Sequence, residues 1–131
     1  MGSRGASSGL ARNGKRYGTE YHTVLKSGNI KFVKKNEGAA TAPMETMTKG
    51  RVYVTVNERD QVKHITYYDA HNKRHKQIDV EGPAHAVDGV RIVPHTHRGY
   101  EHDEHGTRAP TTREQKMIDR ALRTWYHHIG K

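Results

Sequence analysis

Residues 51–80, RVYVTVNERDQVKHITYYDAHNKRHKQIDV, indicate a β-sheet, because polar and apolar side chains alternate along three short parts of this stretch. Valine occupies every second position of residues 52–56, as expected of a strand that buries one face. The same alternation recurs in residues 62–69 and 74–80. Short polar turns separate the three segments, so we predict an antiparallel β-meander.

The sheet is expected to extend beyond this stretch in both directions. Upstream, residues 21–26 and 29–34 predict two strands joined by a tight turn at Ser27 and Gly28. Residues 36–50 have no clear period and predict a long connection. Downstream, residues 81–89 predict a loop, and residues 90–96 predict one further strand.

The last element is a predicted helix. Thr111 and Glu114 have the spacing of a capping box, and Gly130 is placed to end the helix. Its apolar stripe is expected to pack across the meander and consists of Met117, Ile118, Ala121, Leu122 and Trp125. The predicted fold class is therefore α+β, with a small antiparallel sheet and one C-terminal helix.

Length and composition bound the domain organisation. The 131 residues, 32% of them hydrophobic, allow one ordinary domain, which we place at residues 20–131. Residues 1–19 are rich in glycine, serine and basic residues and predict a flexible arm. No apolar run approaches the roughly 18 residues of a membrane span, and we expect no secretory signal. The absence of cysteine excludes disulfides and thiolate chemistry.

The charge is positive and unevenly distributed. The net charge is +9, and residues 1–36 contain eight basic residues but only Glu20 as an acid. Such a segment favours nucleic acid as a partner, because each neutralised phosphate releases counterions. A solubilising surface without a partner is the alternative. The predicted phosphate contacts are Arg12, Lys15, Arg16, Lys31, Lys34 and Lys35, together with the hairpin group Lys73, Arg74 and Lys76.

Eleven histidines are present, and they are densest in residues 95–105. His95 and His97 are two apart on a predicted strand, so their side chains are expected on the same side. One hypothesis is metal-independent RNA cleavage without any cofactor, with these two residues as acid and base. Arg98 and Tyr100 would then stabilise the negative charge of the reacting phosphate.

Two alternatives remain open for the same histidines. His95, His97 and His102 are a possible ligand set for zinc or another divalent metal, although no zinc-finger or helical histidine spacing is present. In the other alternative, the histidines only form hydrogen bonds that hold loops in place. The pattern alone does not choose among the three.

Several segments resemble a phage module. The similarity lies in residues 4–9, 15–21, 28–33, 44–48, 51–54, 67–79 and 94–100, and so extends over nearly the whole chain. The chain is similar to the C-terminal extension of minor head (head-morphogenesis) proteins from phages and prophages of Gram-positive bacteria, or to small proteins encoded beside them. Such head proteins are sometimes joined to barnase–EndoU–colicin–RelE-like ribonucleases, which are small α+β domains with metal-independent chemistry.

The resemblance implies a phage or prophage accessory protein, located in the bacterial cytoplasm or in the phage particle. Its implied partners are RNA or packaged DNA and neighbouring head proteins, with no membrane. Two functions follow as hypotheses. The first is a toxin-like ribonuclease, and the second is a non-enzymatic head component that binds nucleic acid or other subunits.

Overall fold

The computed structural model describes residues 20–46, 49–80, 85–87, 90–92, 94–99 and 106–130. The predicted arm at residues 1–19 lies outside these ranges. The strands are β1 (Tyr21–Ser27), β2 (Ile30–Lys35), β3 (Val52–Val56), β4 (Val62–Tyr68), β5 (Arg74–Asp79), β6 (His85–Val87), β7 (Val90–Ile92), β8 (His95–Arg98) and β9 (Thr107–Arg108), and the helix is α1 (Thr112–His128). This arrangement confirms the α+β class and the C-terminal helix.

Seven strands form one sheet in the order β1-β2-β3-β4-β5-β8-β9, and β6 pairs with β7 separately. The predicted meander β3-β4-β5 is confirmed as antiparallel. One pair departs from the prediction, because β2 and β3 are parallel. Residues 36–51 form the long connection that a parallel pair requires.

The single strand predicted at residues 90–96 is wrong. The chain forms β7 and then β8 instead, with Pro94 between them. Proline has no backbone N–H to donate to a neighbouring strand, so it interrupts a continuous ladder. Strand β6 lies within the predicted loop at residues 81–89.

One face of the sheet, here called the helix face, packs against α1 as predicted. Phe32 and Trp125 stack with ring centroids 5.6 Å apart, and the Trp125 indole N–H donates to the carbonyl of Asp60 at 2.8 Å. The rest of this core comprises Ile30, Val52, Val54, Val56, Val62, Ile65, Ile78, Ile118 and Ala121. Within the described ranges, no helix has the length and apolar character needed to cross a membrane.

The crossover from β2 to β3 covers part of the opposite face, which explains why every residue of β3 is buried. Tyr21 donates its hydroxyl to the carbonyl of Thr41 at 2.7 Å, and Tyr68 donates to Pro43 at 2.6 Å. Burial raises the pKa of Tyr21 to about 12, so its hydroxyl remains a donor at any physiological pH. Aromatic side chains therefore fill the β1–β4 side of this face.

Glu114 joins the start of α1 to the edge of the sheet. Its side chain is 1% exposed and accepts hydrogen bonds from both terminal nitrogens of Arg108, at 2.7 and 2.8 Å. Lys76 donates at 2.8 Å, Thr96 donates at 3.0 Å, and the Thr111 backbone completes the predicted capping box. Burial raises the pKa of Glu114, but these hydrogen bonds outweigh it and hold the pKa well below its usual range.

The variant Glu114→Gln should lower the free energy of unfolding by about 3 kcal/mol at pH 7, because it leaves Arg108 and Lys76 without their carboxylate. The pKa of the Glu114 carboxyl is lower in the folded protein than in the unfolded chain, where it is about 4.3. The ionised carboxylate therefore stabilises the fold at pH values above about 4.3, and this stabilisation is lost as the pH falls. The variant should therefore lose less stability than the wild type on acidification below about pH 5. Urea unfolding at several pH values, followed by Trp125 fluorescence, measures both effects.

Glu37→Gln is the matched control, because Glu37 is exposed. Its unfolding free energy should stay within about 0.5 kcal/mol of the wild type. Equal stability of Glu114→Gln and Glu37→Gln would contradict the role given to Glu114.

Candidate active site on the polar face of the sheet

Polar side chains occupy the face opposite α1 from β3 to β9. Residues directly opposite each other in paired strands point to the same face. The register places Thr55 beside His64 and His64 beside Asp79, and in the next row it places Thr66, Gln77, His97 and Thr107 side by side. We call the part of the sheet formed by these seven residues the polar face; Thr55, Thr66, Gln77 and His97 are buried within it. Most of the helix face, in contrast, is apolar.

At the centre of the polar face, the Asp79 carboxylate binds two imidazoles. Oδ1 lies 2.7 Å from Nδ1 of His64, and Oδ2 lies 2.8 Å from Nε2 of His97. An ionised carboxylate only accepts hydrogen bonds, so the two ring nitrogens that face it carry the protons. We call His64, Asp79 and His97 the histidine–aspartate cluster.

Neighbouring polar groups support this cluster. The Gln77 amide donates to Oδ1 of Asp79 at 2.7 Å, and Arg74 donates to the Gln77 carbonyl oxygen at 2.7 Å. With Nε2 protonated, Nδ1 of His97 accepts from the hydroxyl of Thr107, 3.1 Å away. The hydrogen bonds of the cluster therefore join β4, β5, β8 and β9.

Burial and charge give the two histidines different chemical roles. Burial raises the pKa of Asp79, but hydrogen bonds from His64, His97 and Gln77 outweigh it and hold the pKa well below its usual range. The His97 side chain is 4% exposed, and both of its ring nitrogens are engaged. The His64 side chain is 12% exposed, and its Nε2 has no hydrogen-bond partner among the described residues. His64 can accept a proton at Nε2, while Asp79 orients its ring.

A basic cavity of about 500 Å³ lies at the end of the sheet where β4 begins. Four basic residues and Glu58 line it, together with small residues of the crossover. Lys63 contributes to the lining and precedes His64 in β4, but His64, Asp79 and His97 do not line the cavity. The excess of positive charge suits a phosphate. The basic residues are Lys34, Lys35, Arg59 and Lys63.

The predicted catalytic residues are only partly brought together. His97 belongs to the histidine–aspartate cluster. The backbone of His95 pairs with Asp79, but the His95 side chain lies outside the described part of the structure. Arg98 pairs with Lys76, so strand alternation places it on the helix face, away from His97. Tyr100 lies outside the described residues.

The predicted metal site stays a prediction. His102 lies outside the described residues, as does the His95 side chain. Within the ranges that the structure describes, no three histidine or carboxylate side chains form a group able to hold a metal ion.

Several predicted phosphate contacts are used inside the protein. Lys34 pairs with Asp60, Lys73 with Glu45 and Lys76 with Glu114. Arg74 donates to Gln77, whereas Lys35 lines the basic cavity. Burial, helped by the nearby Arg51 and Lys26, lowers the pKa of Lys31. Arg12, Lys15 and Arg16 lie outside the described residues.

Sequence reasoning missed His64 and Asp79. The signal was present in the meander, because the short turn at residues 70–73 sets the hairpin register of β4 and β5. That register pairs Ile65 with Ile78, and it therefore pairs His64 with Asp79. Two polar residues that face each other across a hairpin were the available sequence signal for this cluster.

The chain matches no protein-family model, and no curated protein or solved structure shows significant similarity to it.

The variant Asp79→Asn should lower the free energy of unfolding by about 2–3 kcal/mol, because it removes the charge that accepts from both imidazoles. Urea unfolding measures the loss. Asp119→Asn is the matched control, since Asp119 is exposed on α1, and it should change stability by less than about 0.5 kcal/mol. Similar stabilities for the two variants would show that the cluster does not hold the sheet together.

Proposed function

We propose that this protein binds nucleic acid and cleaves RNA phosphodiester bonds without a metal ion, with the histidine–aspartate cluster as its acid–base centre. One observation carries the proposal. Asp79 binds Nδ1 of His64 and so leaves Nε2 available to accept a proton, and a basic cavity lies at the end of the sheet where the strand of His64 begins. This chemistry requires a general base for the 2′-hydroxyl and cations for the phosphate, and these two features are the proposed sources of both.

In the proposed reaction, Nε2 of His64 removes the proton of a ribose 2′-hydroxyl, and the 2′-oxygen attacks the neighbouring phosphorus. The bond between phosphorus and the 5′-oxygen breaks. His95, from the pair predicted by the sequence, gives that oxygen a proton. The products are a 2′,3′-cyclic phosphate and a 5′-hydroxyl. His97 is a positioning residue here, because its ring nitrogens are already bonded to Asp79 and Thr107.

The basic cavity supplies the electrostatic part of the proposal. Lys35, Arg59 and Lys63 line it at the end of the sheet where β4 begins. Fixed cations at this position bind the phosphate and stabilise the additional negative charge that develops during attack. The three residues differ from Lys34, whose charge is paired with Asp60.

A second candidate function is favoured by the burial of His97. A buried histidine with both nitrogens engaged is also what a purely structural cluster contains. In that case the protein is a non-enzymatic phage head component that binds packaged DNA or neighbouring head proteins. The sequence resemblance supports a phage or prophage accessory protein under either function, acting in the bacterial cytoplasm or in the phage particle.

Incubation with labelled single-stranded RNA, with and without EDTA, tests the first function. Wild-type cleavage should survive EDTA and should fall about 100-fold or more in His64→Ala, the usual cost of losing a general base. The double variant His95→Ala/His97→Ala should also be inactive. His22→Ala is the matched control, because His22 is exposed on β1, and it should cleave like the wild type.

Full activity in His64→Ala would show that the base is misassigned. Loss of cleavage in EDTA would show that the reaction needs a metal ion, and the metal-independent mechanism would be wrong. Intact RNA in every sample, together with salt-dependent binding, would favour the non-enzymatic candidate.

A further inference from the structure

Four exposed basic residues follow one side of α1. They are separated by three, four and three positions, so at about 100° per residue they lie on one side of the helix. This side points away from the buried residues Ile118, Ala121 and Trp125. We call these four the basic stripe, and they are Arg113, Lys116, Arg120 and Arg123.

The charges of the basic stripe are not neutralised within the described part of the chain. None of the four residues forms an ion pair with another described residue. In contrast, Lys34, Lys73, Lys76 and Arg108 each contact a carboxylate. The stripe therefore presents free positive charge over eleven residues of helix, a rise of about 15 Å from the first to the last.

A groove of about 420 Å³ runs beside the stripe, between α1 and the sheet. Tyr67 and Met117 form its apolar part, and Arg113, Lys116 and Arg120 line its helix side. Lys76 and Glu114 also line the groove and are paired with each other, and Lys76 Nζ lies over one face of the Tyr67 ring, 4.4 Å from its centroid. A row of cations beside an aromatic side chain is the combination found in proteins that bind single-stranded nucleic acid.

We infer that the basic stripe and this groove bind single-stranded nucleic acid, with phosphates along the stripe and a base against Tyr67. A membrane surface fits less well, because it requires exposed apolar residues beside the cations, and those of α1 face the sheet. The site lies on the helix face, opposite the histidine–aspartate cluster, and is therefore a second contact region. The inference rests on the proposed function only for the class of ligand.

Binding of labelled single-stranded DNA of about 20 nucleotides tests the inference, because DNA has no 2′-hydroxyl and cannot be cleaved by the proposed reaction. Fluorescence anisotropy in a salt series should show affinity about tenfold weaker for Lys116→Gln/Arg120→Gln. The slope of log K against log salt should decrease by about 1.4, or 0.7 per lost phosphate contact. Tyr67→Leu should weaken binding without changing the slope, because stacking involves no counterion release.

Lys26→Gln/Lys49→Gln removes the same charge from exposed positions outside α1, and it should leave affinity and slope unchanged. An equal loss of affinity in this control would show that binding depends on net charge and not on the position of the basic stripe, and it would overturn the inference. The inference would also be overturned by unchanged DNA binding in the stripe variant or by tighter binding of duplex than of single-stranded DNA. Binding of anionic vesicles that depends on the stripe, without binding of DNA, would overturn it as well.

The same measurements separate this inference from the proposed function. Stripe-dependent DNA binding by a protein that leaves RNA intact would refute cleavage and support the inference. RNA cleavage that depends on His64, without any effect of the stripe variant on DNA binding, would support the proposed function and refute the inference.

Discussion

A carboxylate can be held inside this small sheet only if hydrogen-bond donors from other strands surround it, and that constraint organises both faces. On the polar face, Asp79 accepts from His64 and His97. On the helix face, Glu114 accepts from Lys76 and Arg108. An unpaired buried charge is costly, so each carboxylate forces its donors into a defined arrangement. Strand β5 contributes to both clusters, with Lys76 on one face and Asp79 on the other.

This two-sided arrangement separates stability from chemistry. The Glu114 cluster joins α1 to β5, β8 and β9, and all of its hydrogen bonds serve the fold. The histidine–aspartate cluster leaves Nε2 of His64 without a hydrogen-bond partner among the described residues. The exposed cations of α1 lie beyond the Glu114 cluster, on the helix side of the sheet. Acid–base chemistry is therefore proposed for one face of the sheet, and binding of single-stranded nucleic acid is proposed for the other.

Local pattern was sufficient to predict the meander, the capping box of Thr111 and Glu114 and the helix that packs on the sheet. It could not predict the parallel pairing of β2 and β3, because alternation is the same in parallel and antiparallel strands. The ion-pair partners of the basic residues could not be predicted from the sequence either. Lys73 and Lys76 pair with acids 28 and 38 residues away, which only the folded chain brings near them. His97 was identified from its spacing, whereas its partner Asp79 required the strand register.

The position of the imidazole protons shows whether Asp79 orients His64. Long-range ¹H–¹⁵N NMR of the histidine rings near pH 8 distinguishes the two ring nitrogens of His64 and of His97. We expect a proton on Nδ1 of His64 and on Nε2 of His97, and we expect Asp79→Asn to lose this fixed placement of both protons. A proton found only on Nε2 of His64 would mean that Asp79 does not orient that ring, and the role given to His64 as a proton acceptor would be wrong.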